Sequence, residues 1–338
     1  MIEALNLEEF MALEGTVFDV RSPSEYQQGR IPGSINLPLF SDAERAQVGT
    51  TYKMEGKEQA ISLGMKYTSP KVSRFVTQAK QHLNSGTAKI HCWRGGMRSS
   101  AMAMLLENTG IPSVTLQSGY KTFRGWAHEL FEKPYRYNML GGLTGSGKTS
   151  ILHALEGLGE QVIDLEGLAH HRGSAFGHIG RGEQPSTEQF FNEISIKLGK
   201  FDVERPIWVE NESRQIGFCH IPEALFSSMQ KAPLYLIERP LEERIATLCC
   251  DYGNTDPKKL IEATLCIKKK LGGARTKEVI GNISEGQLKQ AVGIILEYYD
   301  STYTFGLTRR KSPIHKLSEK NFSAKDWAEK LLSNDRGQ

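Results

Sequence analysis

The chain has 338 residues, a net charge of +3, and a composition that is 39% hydrophobic and 24% charged. That length allows two ordinary domains, and the balance of polar and apolar residues is that of a water-soluble globular protein, not a disordered or fibrous one. No run approaches the roughly 18 apolar residues of a membrane span. The acidic start (Met1-Ile-Glu-Ala-Leu-Asn-Leu-Glu-Glu9) is unlike a secretory signal, and five cysteines without framework spacing point to a reducing cytoplasm.

Short apolar runs alternate with helical sequence over the first 130 or so residues. Thr16–Val20, Lys89–Cys92 and Ser113–Leu116 read as strands, the pattern of a small α/β domain with a parallel sheet. An insertion between Leu39 and Pro70 predicts one helix near Glu55–Leu63. At Cys92 the predicted strand ends in Cys92-Trp-Arg-Gly-Gly-Met-Arg-Ser99 and a helix begins near Arg98. Ligands gather at the carboxyl ends of parallel strands. Gly95 and Gly96 allow backbone N–H groups to turn inward as an anion nest, Arg94 and Arg98 add positive charge, and Trp93, Met97 and Ser99 complete the cradle. Those donors and the helix dipole favour thiolate, so Cys92, Arg94 and Arg98 are the expected catalytic group. The remaining cysteines, Cys219, Cys249, Cys250 and Cys266, read as packing residues.

Pro134 ends the helix before it, which places a hinge in Glu132–Arg136 and divides the chain into domains 1–132 and 133–338. The second domain opens with the strand Tyr137–Gly141 and then Gly142-Leu-Thr-Gly-Ser-Gly-Lys-Thr149, which matches the P-loop pattern at every fixed position and runs into a helix. Gly142, Gly145, Ser146, Gly147, Lys148 and Thr149 would wrap a diphosphate, with Thr149 able to hold Mg2+. Two strand ends offer the partner acid, Asp164 after Gln161–Ile163 and Glu210 after Pro206–Val209, and Glu210 is favoured. Between them a polar loop carries His171, Arg172 and Ser174, and Arg214 follows Glu210; these read as substrate contacts. The paired histidines His170 and His171 lack ligands at zinc spacing, so no metal centre and no tightly bound cofactor is expected. Arg244, on the predicted helix Pro240–Asp251, is placed as an arginine over the phosphates. Basic clusters at Lys268–Lys277 and Arg309–Lys311 flank the aromatic segment Tyr298–Phe305, a combination suited to RNA or to a solvated helix face.

The segments Phe18-Asp-Val-Arg-Ser-Pro-Ser-Glu-Tyr26 and Gly29-Arg-Ile-Pro-Gly-Ser-Ile-Asn-Leu-Pro38 resemble the paired signature of a rhodanese domain, with Arg30 where histidine is usual. The loop is one residue longer than in that family and has the Cys-x5-Arg length of the related phosphatases, which makes a wider cradle. A rhodanese-like α/β domain followed by a P-loop NTPase-like α/β domain with a helical C-terminal region resembles the bacterial tRNA 2-selenouridine synthase family over nearly the whole chain. Cys92–Ser99, Gly119-Tyr-Lys121, Gly142–Thr149, Asp164–Gly167, His171–Ser174, Glu212-Ser-Arg214 and Tyr298–Asp300 are among the residues that carry the likeness. The resemblance implies a transferase that replaces the sulfur of wobble 2-thiouridine in tRNA with selenium from selenophosphate. It also implies an S-geranyl intermediate made from geranyl diphosphate, with selenophosphate synthetase as a supplier of the donor. Since selenophosphate arrives activated, the P-loop is expected to bind the prenyl diphosphate, though a nucleotide remains open. A Cys-x5-Arg phosphatase fused to a small-molecule kinase is the alternative. A nucleotide-gated RNA-binding module is a third reading.

Overall fold

A computed structural model describes residues 2–83 and 86–335 and divides the chain into two compact units, Met1–Leu130 and Phe131–Gln338. In the first, strands β1 (Glu3–Leu5), β2 (Gly15–Asp19), β3 (Ile35–Asn36), β4 (Thr87–His91) and β5 (Ser113–Leu116) form one sheet in the order β1-β5-β4-β2-β3. Every pairing is parallel. β4 lies in the middle and is buried almost throughout, as a strand covered on both faces must be. Its one lysine, Lys89, is accommodated because Nζ donates to the Leu13 carbonyl at 2.7 Å while the stem lies in the core. Phe18, Ile90, Met102 and Leu106 anchor that core.

The segment between Leu39 and Pro70 forms two helices, Asp42–Met54 and Lys57–Thr68, where one was expected. Ser41 and Glu44 close a capping box that starts the first of them. Their sides are largely solvated, so neither shows the apolar stripe by which a helix is usually read.

In the second unit β6 (Tyr137–Gly142), β7 (Gln161–Ile163), β8 (Ile207–Glu210), β11 (Leu234–Glu238) and β12 (Ile314–Ser318) make another parallel sheet, ordered β12-β11-β6-β8-β7. The short strands β9 (Gln215–Ile216) and β10 (Cys219–His220) pair antiparallel beside it. Trp208, Tyr235, Ile151 and Trp327 fill the core next to the P-loop helix Lys148–Gly157. A separate apolar cluster, from Phe176 through Tyr252, Leu260 and Val279 to Ala291, belongs to the helical C-terminal region. Among the described residues no helix is long and apolar enough to cross a membrane.

Candidate active sites

β4 delivers Cys92 to the carboxyl edge of its sheet, and Gly96 caps the helix Met97–Glu107 that follows. The sulfur is buried, 3.4 Å from the Gly96 N–H and 3.3 Å from the Ser99 hydroxyl. Burial pushes the thiol up, but the Ser99 hydroxyl and N–H, the Arg98 charge and the Arg94 N–H outweigh it, holding Cys92 below the usual thiol range. Cys219 shows the contrast: burial raises its thiol to about 11. Cys219 is buried as expected of a packing residue and Cys249 is half-buried, whereas Cys250 and Cys266 are exposed.

Arg98 is held at the mouth of the turn by Glu25, whose carboxylate accepts from Nη1 at 2.8 Å. Arg94, Met97 and Trp93 are exposed, with Trp93 tilted against Tyr120 at 5.6 Å. Beneath them Arg21 is fully buried, paired with Asp19 at 2.6 Å and lying 3.9 Å over the Tyr120 ring. The Cys92 and Trp93 carbonyls accept from the N–H groups of Tyr120 and Lys121 at 2.8 and 3.0 Å. Gly95 and Gly119 both have positive φ and face each other. A Cβ on Gly119 would collide with the Cys92 carbonyl oxygen, and one on Gly95 would come within 2.6 Å of the Leu116 carbonyl. Two roles were hidden in the sequence, the clasp formed by Gly119 and the anchoring of Arg98 by Glu25. Both depend on residues distant in the chain.

In the second unit the P-loop leaves β6 with Gly145 and Gly147 at positive φ and enters its helix at Lys148. The Ser146 hydroxyl is buried without a hydrogen-bond partner, and Lys148 Nζ reaches the Gly142 carbonyl at 3.4 Å. Thr149 follows Lys148 in the first turn. From the long helix Leu288–Thr308, Tyr303 turns its hydroxyl to accept the Gly142 N–H at 3.0 Å.

Three carboxylates surround Lys148. Glu210 is sealed in, takes the Glu166 N–H at 2.7 Å on one oxygen and leaves the other unpartnered. Burial first, then the neighbouring acids Asp164 and Glu166, drive Glu210 well above the usual carboxylate range. Burial and Glu166 raise Glu212 to about 8, against the pull of Lys148. Lys148 is raised in turn, because the charges of Glu166 and Glu212 overcome its desolvation. Asp164 is engaged locally instead. It caps the short helix Leu165–Leu168 through the Gly167 N–H at 2.7 Å and meets His153 at 3.0 Å.

The loop expected to touch substrate borders these acids, since a Cβ on Gly173 would come within 2.6 Å of Glu212 Oε2. His171 is buried, and burial together with His178 holds it neutral-leaning, below its usual value. Arg172 lies 5.2 Å over the Tyr252 ring, and Ser174 accepts the Phe176 N–H at 3.3 Å. Arg214 is half exposed and paired with Glu223 at 2.6 Å. Arg244 corrects the sequence reading. It is buried, bidentate to Asp300 at 2.6 and 2.8 Å, and donates to the Thr144 carbonyl at 3.2 Å, so it braces the P-loop from behind instead of facing the phosphates. Arg239 lies close to the loop, with Nη2 donating to the Phe322 carbonyl at 2.7 Å. Its Nη1 is 3.5 Å from where a Cβ on Gly147 would be, and its buried Nε has no partner. The signal was available: Arg239 directly follows β11, the strand beside β6.

The two units together define a class, a rhodanese-type cysteine domain and a P-loop domain in one polypeptide. Residues 4–125 match the rhodanese-like domain and residues 135–334 match the AAA domain of tRNA 2-selenouridine synthases. The tRNA 2-selenouridine synthase of Nitrosomonas europaea is 32% identical over 87% of this chain and 90% of its own. That of Bordetella bronchiseptica is 34% identical over 88% and 90%, and that of Aeromonas salmonicida 32% identical over 95% of each. The chain belongs to the tRNA 2-selenouridine synthase family. Full-length likeness of this kind sets aside both the phosphatase–kinase fusion and the idle RNA-binding module.

Proposed function

We propose that the cysteine unit handles selenophosphate and the P-loop unit handles geranyl diphosphate, in sequence on one tRNA base. In the first step the sulfur of 2-thiouridine attacks C1 of the geranyl group. The C–O bond breaks, the diphosphate leaves with the electron pair, and the base gives up its N3 proton. The P-loop N–H groups, Lys148 and Arg239 stabilise the charge gathering on the diphosphate. Among the described residues no three His, Cys, Asp or Glu converge as a protein-only metal centre. The Thr149 hydroxyl and the unpartnered Glu210 oxygen would instead hold a Mg2+ completed by ligand oxygens. That ion would supply further charge neutralisation.

In the second step the Cys92 thiolate attacks the phosphorus of selenophosphate. The P–Se bond breaks, a phosphoryl group is left on sulfur, and hydroselenide is set free within the cradle. Hydroselenide attacks C2 of the S-geranylated base and expels geranyl thiolate; water then hydrolyses the S–P bond to phosphate. No oxidant is required. Hydroselenide is a weak base and leaves unassisted, which accounts for a Cys-x5-Arg cradle with no acid positioned to protonate a leaving group. The Arg94 and Arg98 charges and the turned-in N–H groups of Gly95 and Gly96 receive the phosphoryl oxygens. Arg309 stacked 4.4 Å over the exposed Phe305, together with Lys311 and the exposed Lys268–Lys270, would meet tRNA phosphates and an unstacked base. Selenophosphate synthetase is the natural supplier of the donor.

The observation that carries this reading is the low-lying Cys92 thiol in a Cys-x5-Arg anion turn, set in the same chain as a complete P-loop. Thiolated tRNA is incubated with selenophosphate, with and without geranyl diphosphate and without nucleotide, and its nucleosides are read by mass spectrometry. Lys148→Ala should lose geranylation and still selenate pre-geranylated RNA, and Cys92→Ser should do the reverse. Strict dependence of geranylation on ATP hydrolysis would overturn the assignment of the P-loop.

A further inference from the structure

The P-loop borders a mostly apolar pocket, lined chiefly by aliphatic side chains. Thr144 of the P-loop forms one edge, and Ser174 and Phe176 of the loop beside the carboxylates form another. Leu248 contacts the P-loop itself, its Cγ lying 3.1 Å from a Cβ placed on Gly145. The rest of the wall comes from helices of the C-terminal region, including Leu260, Ile283 and Ala291.

Four hydroxyl-bearing residues, Thr144, Ser174, Tyr252 and Tyr299, interrupt an otherwise aliphatic wall, and three of them already have a partner. Tyr299 accepts the Ala175 N–H at 3.2 Å, Ser174 accepts from Phe176, and Tyr252 is engaged with Arg172. A nucleobase buried here would leave most of its ring nitrogens and exocyclic groups without partners, a heavy cost in a mostly aliphatic site. A hydrocarbon chain loses nothing of that kind and gains the burial.

We infer that this pocket holds the isoprenoid tail of the diphosphate seated on the P-loop, and that Ala291 and Ile295 on the helix Leu288–Thr308 set the chain length accepted. The inference rests on the reading of the P-loop as a prenyl diphosphate site. Ala291 is fully buried and leaves the pocket its depth, whereas Ile295 is part-buried and narrows it. Each buried methylene is worth about fourfold in affinity, so side-chain volume at these positions converts directly into chain-length preference.

The test compares dimethylallyl, geranyl and farnesyl diphosphates as donors to thiolated tRNA, with competition by inorganic diphosphate as a report on the P-loop alone. Ala291→Leu should lower kcat/KM for geranyl relative to dimethylallyl diphosphate by about tenfold or more while diphosphate inhibition stays unchanged. Ile295→Ala, at a part-buried position that tolerates truncation, should raise the farnesyl-to-geranyl ratio by about fivefold. It decides the matter if Ala291→Leu does not fold. Unchanged ratios in folded variants, with diphosphate still competing, would place the tail elsewhere and overturn the pocket but not the P-loop assignment. Loss of ATP binding in Ala291→Leu would make the occupant a nucleotide and overturn it too. Geranylation that survives Lys148→Ala and ignores inorganic diphosphate would remove the underlying reading itself.

Discussion

Replacing Ser99 with alanine removes the largest of the influences that hold the Cys92 thiol down. A hydrogen bond to a charged group contributes about 1.5–3 kcal/mol. The Ser99 hydroxyl has one proton and also lies 2.9 Å from the Gly96 carbonyl, so the thiolate must win it from a competing acceptor. The lower end of the range then applies, about 1.5 kcal/mol, or roughly a tenfold change in the ionisation constant. In Ser99→Ala the pH profile of alkylation by iodoacetamide, read at the Cys92 peptide by mass spectrometry, should therefore move up by about one pH unit. Below the midpoint the thiolate population falls about tenfold, but a more basic thiolate is intrinsically about threefold more nucleophilic, so the net slowing is about three- to fourfold. Above both midpoints the variant should be the faster of the two, and the profiles should cross. A midpoint that stays where it is, or falls, would refute the claim that this hydroxyl helps ionise the sulfur, as would a uniform slowing at every pH.

Asp300→Asn leaves the buried Arg244 without its counter-charge and should destabilise the P-loop unit by about 3–5 kcal/mol, read as an early transition in urea. Because Arg244 also supports Thr144, affinity for inorganic diphosphate should fall in the same variant under native conditions. Glu212 gives a pH dependence of definite sign. Its native carboxyl keeps its proton up to about 8, whereas the unfolded group loses it near the ordinary carboxylate value. Stability from this group is therefore full in acid and falls as pH rises towards 8, by at most about 1.4 kcal/mol per pH unit. Urea unfolding at pH 5, 6.5 and 8 should show that slope and Glu212→Gln should flatten it; parallel behaviour of the two would contradict the protonated state.

Sequence made the two catalytic turns legible because each is a contiguous motif in which glycines, a nucleophile or lysine, and a helix start lie within eight residues. The central strands were nearly as plain, since β4 and β6 are short, mostly buried runs that lead straight into glycine-rich turns. What stayed hidden has one of two physical origins. Edge strand β12 alternates half-exposed residues and carries Lys316 and His315, so nothing in its composition marks it apart from a loop. The helix Asp42–Met54 lacks an apolar stripe, and only its capping box announced it. The other origin is distance along the chain. Arg244 reads as a phosphate ligand until Asp300 is seen to claim it, and Arg239 draws no notice until Gly147 is seen beside it. Glu25 and Gly119 acquire their roles at the cysteine turn in the same way.

The position of β12 has a consequence for how the chain comes off the ribosome. All five strands of the first sheet lie within the first 116 residues, so that unit can close while the remainder is still being made. β11 instead waits for β12 some eighty residues later, and the P-loop helix waits for the fully buried Trp327, later still. Until β12 and Trp327 have been made, the nascent second unit therefore presents an open sheet edge and an uncovered apolar helix face. A stop codon anywhere before Trp327 would remove that closing tryptophan and leave the second unit a substrate for proteolysis.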